Sequence, residues 1–165
     1  MKDILDQIRG ASDSGLYYVA LFSALAIPDI CGALESADGE ASKAKYVAWF
    51  DRHVAARYQG FLGGEDAYYF RCSMLHQGTT QHPQSSFRRI LFIEPGATSN
   101  VFHNNIVGDA LNIDVRIFVN DLVTAALQWL ATAEKTAEFK ANRPRFVTRY
   151  PRGLAPYIEG VPVIA

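Results

Sequence analysis

Cysteine is scarce: only Cys31 and Cys72 occur in 165 residues. That is too few for a disulfide-stapled secreted scaffold, and no short-spaced Cys pair marks a structural zinc site. Both sit in apolar stretches, where a free thiol packs as a small hydrophobe. A large charge excess is also missing. The formal net charge of -1 excludes a wholly basic, histone-like protein. Glycine at 12 and proline at 7 exclude collagen-like and disordered chains. Repeats and low-complexity tracts are absent. The apolar run from Leu16 to Ile27 has about 12 residues against the roughly 20 that span a bilayer, and Pro28-Asp29 ends it. Asp3, Asp6 and Asp13 stand where a signal peptide would carry basic residues. The expectation is a cytoplasmic protein with no membrane partner.

What remains is an ordinary globular composition, 49% hydrophobic and 20% charged, enough for one domain with a sizeable core. Charge is unevenly spread. Residues 1–66 hold 6 Lys/Arg and 10 Asp/Glu, whereas 67–165 hold 10 and 7. A polyanion would prefer the second part.

The periodicity predicts helices. Met1 to Gly10 forms a short one burying Ile4, Leu5 and Ile8, and Ser12 to Gly15 is a turn. A long apolar helix follows from about Leu16 to Glu35, kinked or restarted at Pro28, which lacks an interior donor. Ser42 caps a helix from Lys43 to Tyr58, where Tyr46, Val47, Phe50, Val54 and Tyr58 share one face. Glu65-Asp66 open the next, which Gly78 stops after His76 or Gln77. Phe87 to Ile93 reads as a strand, pairing as a hairpin with a second around Asn105 to Ile113. Asp114 then caps a helix running towards Asn142, with Val115, Phe118, Leu122, Ala126, Trp129 and Ala133 as its seam. The expected fold is mainly α: a helical bundle with a small β-hairpin inserted before the last long helix. It is one domain over 1–165, with a core at about 16–142 and an irregular basic tail at 143–165.

The stretch that carries chemistry is Tyr68-Tyr69-Phe70-Arg71-Cys72-Ser73-Met74-Leu75-His76-Gln77-Gly78. It sets an Arg and a His five positions apart at a helix end. Five positions turn about 140° and rise about 7.5 Å, so the side chains do not overlie one another. Convergence calls for a loosened helix end or two copies meeting across a dyad. A guanidinium forks onto phosphate oxygens and stabilises transition-state charge, while an imidazole moves a proton near neutrality. Together they suit phosphodiester cleavage without a cofactor or metal. The bland alternatives are Arg71 pairing with Glu65, Asp66 or an acid on a neighbouring helix, and His76 capping helix carbonyls.

This R-x4-H pattern late in a helix of an all-α bundle resembles the HEPN superfamily, the higher eukaryote and prokaryote nucleotide-binding domains. The resemblance implies a metal-independent endoribonuclease, active as a homodimer, in a toxin–antitoxin or phage-defence setting with a possible antitoxin partner. It assigns catalysis to Arg71 and His76. Cys72 stands where catalytic members commonly carry Asn, Asp or His, and it joins Ser73 and Asp29 as supporting candidates. An acid on an earlier helix is part of the pattern, with Asp29, Glu35 and Asp51 all eligible. Asp29 also fits as a cap of the segment restarting at Pro28. The alternative class is a non-catalytic helical module that dimerises or binds a nucleotide or protein.

Lys140, Arg143, Arg145, Arg149 and Arg152 fall in one acid-free run with Phe146 and Tyr150, a combination suited to single-stranded RNA. Their bland role is a solvated connector. His76, His82 and His103, with Cys72, lack the paired spacing of a metal site, so no metal ligand is assigned. His53, amid Arg52 and Arg57, reads as a solvated face residue.

Overall fold

The computed structural model describes residues 1–96 and 99–165. The chain is mainly α, as its periodicity predicts. Helix α1 (Lys2–Asp13) turns Leu5 and Ile8 inward, and Ile4 packs against the same core. The apolar stretch after it divides at Ala26 into α2 (Tyr17–Leu25) and α3 (Ile27–Leu34), with Pro28 in the first turn of α3. Pro is harmless there because first-turn amides have no intrahelical partner. The window Tyr17–Leu34 has mean hydropathy 1.6, but half of it is buried in the fold. Its two helices of 9 and 8 residues are each too short to span a bilayer.

Ser42 caps α4 (Lys43–His53), its hydroxyl accepting from the Lys45 amide. The apolar face continues to Tyr58 as expected, but its last turn tightens into a 3-10 helix at Ala55–Tyr58. Val54 and Tyr58 stay fully buried through that change. Helix α5 (Gly64–Gln77) packs against α4 at very close range. A Cβ on Gly64 would lie 2.6 Å from the Val47 carbonyl oxygen, so only glycine fits. Asp51, at the end of α4, accepts the Gly64 amide at 2.7 Å and closes the start of α5.

The strands differ from expectation. β1 (Arg89–Ile93), β2 (Asn105–Val107) and β3 (Ala110–Asp114) form one sheet in the order β1-β3-β2. The run expected to be a single strand is itself the hairpin, folded between Val107 and Ala110 with Gly108 at φ 63. β1 joins β3 in parallel rather than as its hairpin partner, Arg89 opposite Ala110 and Ile93 opposite Asp114. The intervening chain from 94 to 109 is long enough for the crossover that a parallel pair requires. All five residues of β3 are buried at the centre.

Asp114 ends β3 and caps α6 (Val115–Ala133), accepting the Ile117 amide at 3.0 Å. The six seam residues are all buried, against α1, α2, α3 and α4. The helix stops earlier than expected because Thr136 caps a separate α7 (Ala137–Asn142), accepting the Phe139 amide at 3.2 Å. Asn142 reaches back to the other end of the chain and donates to the carbonyls of Leu34 and Ser36, closing the C-terminus of α3. Rings tie helices to sheet: Phe70 stacks on Phe92, Phe92 meets Phe118 edge-on, and Trp49 meets Trp129.

The tail is not irregular. β4 (Arg149–Tyr150) pairs with β7 (Val163–Ile164), and β5 (Gly153–Leu154) pairs with β6 (Ile158–Glu159) between them. Prolines at 151, 156 and 162 mask this in the sequence because all three fall between the short strands.

Candidate active site

Arg71 and His76 meet within one chain. Arg71 Nη1 lies 3.2 Å from His76 Nε2 while α5 stays helical through Gln77. Neither a loosened helix end nor a second copy is needed. Side chains tilt towards the helix N-terminus, so His76 leans back over the turn that the long Arg71 side chain crosses. Arginine only donates, so a hydrogen bond across this contact has Nε2 as its acceptor. Gly78, at φ 65, ends α5 just beyond the pair, its amide bonded to the Met74 carbonyl at 3.2 Å.

Asp29 faces the pair from the first turn of α3. Its Oδ2 is 2.7 Å from Arg71 Nη2, an ion pair whose N–H is not aligned on the oxygen. Burial pushes the Asp29 carboxyl above its usual range, and Arg71 and His76 pull it part of the way back. Burial works against the Arg71 charge, but Asp29 and Cys72 together outweigh it and raise the guanidinium. Arg71 Nε–H is buried with no acceptor among the described residues. The guanidinium is therefore held in place by Asp29, with one N–H left unpaired in the interior.

Tyr68 completes the cluster. It lies three positions before Arg71 and four before Cys72, hence on their face of α5. The guanidinium lies 6.0 Å from its ring centroid. Hydrogen bonding to Cys72, with burial second, pushes the Tyr68 hydroxyl up, so it stays a neutral donor. Cys72 Sγ is 3.9 Å from Arg71 Nη1. Tyr68 draws no role from the sequence alone, although its spacing to Arg71 is visible there.

The other candidates lie elsewhere. Ser73 is fully buried on the core side of α5, its hydroxyl without a partner among the described residues. Of the eligible acids only Asp29 reaches Arg71. Asp51 caps α5, and Glu35 binds Arg52 at 3.1 Å and Trp129 Nε1 at 2.7 Å. Nor does Arg71 take its ion pair from its own helix: Glu65 pairs with Lys43 and Asp66 holds the 85–86 turn. His53, expected on a solvated face, is half-buried against Trp49. The tail cations form no single surface with the pair. Arg145 binds Glu40 at 2.7 Å, and Arg143 binds Thr148 at 3.0 Å over the Phe146 ring. These contacts gather where Asn142 closes α3, opposite the end that carries Asp29. Lys140, Arg149 and Arg152 are exposed. Among the described residues, no three His, Cys, Asp or Glu side chains come together as a metal-ligand group.

The comparisons add no relative: the chain matches no family model, no curated protein and no solved structure.

Proposed function

We propose that this protein is a cytoplasmic, metal-independent endoribonuclease of the HEPN type. The observation that carries the reading is the Arg71–His76 contact at 3.2 Å with Asp29 behind it. A scissile phosphate competes with His76 for Arg71 Nη1, which draws the guanidinium off Nε2 and frees that nitrogen as a base. His76 then accepts the proton of the ribose 2′-hydroxyl, O2′ bonds to phosphorus, and the P–O5′ bond breaks. A 2′,3′-cyclic phosphate remains, and the leaving 5′ oxygen takes a proton from water. Lys140, Arg143, Arg145, Arg149 and Arg152 supply longer-range attraction for RNA. A toxin or phage-defence role with an antitoxin partner rests on the resemblance alone.

A second reading, a non-catalytic dimerisation or binding module, is favoured by the outer face of α2. Tyr18 and Val19 are 78% and 58% exposed there, beside Leu16 at 57%. An apolar cluster in solvent marks a contact surface. A homodimer formed through it serves either reading, and Val19→Glu would return such a dimer to monomer in sedimentation.

The test is incubation of end-labelled RNA with the protein in EDTA. The proposal expects cyclic-phosphate and 5′-hydroxyl ends from ordinary RNA and no cutting of fully 2′-O-methylated RNA. Intact RNA in both arms would leave the binding-module reading.

A further inference from the structure

We infer that the cleft formed by residues 79–88 is a subsite for one unstacked nucleotide of RNA, an inference that rests on the endoribonuclease reading above. The cleft encloses about 500 Å³ and is lined by Thr79, Gln81, His82, Ser85, Phe87 and Arg88. That volume is in the range of small-ligand pockets. It begins three residues after His76, so their Cα atoms are within about 11 Å of each other. A strand whose phosphate sits on Arg71 and His76 would reach it with a neighbouring nucleotide.

Its walls are held before any ligand arrives. Asp66, on the first turn of α5, accepts from Ser85 Oγ at 2.9 Å and from the Ser86 amide at 2.6 Å. His82 stacks on Tyr69, centroids 4.6 Å apart and planes within 13°, and Lys43 grips the Tyr69 hydroxyl at 2.7 Å. The Gln84 amide donates to His82 Nδ1 at 3.2 Å, which leaves Nε2 to carry the proton of the neutral ring. Phe87 is anchored by packing on the main core.

The groups left over match a nucleotide. Phe87 and His82 offer aromatic surface to a base. The Gln81 side-chain amide, exposed and without a partner among the described residues, pairs a donor with an acceptor, as a base edge does. Arg88, at the mouth, pairs among the described residues with Asp109 at 3.4 Å, and both side chains are more than half exposed. So exposed a pair is weak, and a phosphate displaces the carboxylate.

The test is titration of the intact 15N-labelled protein with AMP, GMP, CMP and UMP, and separately with inorganic phosphate, followed by backbone amide shifts. At least one nucleotide should give saturable shifts within 79–88 that phosphate alone does not reproduce. Gln81→Ala, an exposed and fold-neutral change, should weaken that nucleotide roughly five-fold. Arg71→Ala should leave its binding intact. Binding that survives Arg71→Ala upholds the subsite even if the protein cuts no RNA. Absence of saturable shifts in 79–88, or equal shifts with phosphate, overturns the subsite while leaving the Arg71–His76 reading to its own test.

Discussion

Arg71 and Asp29 belong to different helices, yet Nη2 and Oδ2 are 2.7 Å apart with only 21% and 12% of their side chains exposed. This pair links the first turn of α3 to the middle of α5, and it holds the guanidinium beside His76. Asp29→Ala leaves Arg71 charged, largely covered and without its counter-ion. It should cost about 1–3 kcal/mol in urea unfolding, below a fully buried pair because solvent still reaches both groups. If Asp29 only caps α3, Asp29→Asn should retain cleavage; positioning of Arg71 predicts that cleavage falls with stability.

Asn142 ties the chain's later part to its earlier one through the carbonyls of Leu34 and Ser36. Asn142→Ala leaves buried acceptors unpaired and should lower stability by about 1–3 kcal/mol. Its distance from Arg71 means that RNA cleavage per folded molecule should not change. Chemical denaturation and activity measured on one preparation check both halves.

Burial lowers the pKa of His53 and of His103 below the usual histidine value of 6.5. The folded state then binds fewer protons than the unfolded chain as pH drops below about 6.5, so stability falls with pH there. Asp29 and Asp121 act in the opposite sense. Burial raises both carboxyls above 3.8, so each adds stability as pH falls through its folded-state value. Melting temperature should therefore drop first between about pH 7 and pH 5.5. His53→Gln with His103→Gln should flatten that drop, and an unchanged slope in the double variant would contradict the assignment.

Asp66 holds the 85–86 turn through one carboxylate oxygen. Asp66→Ala should speed amide hydrogen exchange at Ser86 at least ten-fold, the equivalent of about 1.4 kcal/mol of lost local protection. Exchange at Phe70 and Met74 in α5 should not change.

The local signals were legible because their causes are local. Ser42 and Asp114 cap helices since each supplies an oxygen to an amide three residues on, and Pro28 and Gly78 mark the breaks through backbone chemistry alone. The Arg71 and His76 positions were readable from residue type and helix end. The pairing of β1 with β3 was not, because it depends on a crossover rather than on either strand's pattern. The choice among Asp29, Asp51 and Glu35 was equally hidden. It is made by how α3 packs on α4 and α4 on α5, which no spacing within one helix encodes. Thr136 could have revealed the end of α6, but the apolar seam running to Ala133 drew attention past it.

The most direct test of the Arg71–His76 site is a double-mutant cycle on RNA cleavage in EDTA, using wild type, Arg71→Ala, His76→Ala and the combined variant. Residues that act as one catalytic unit are strongly non-additive. Each single substitution should cost at least about 100-fold, and the double variant should be little worse than either. Additive losses, cutting that survives both changes, or no cleavage by folded wild type would contradict the account.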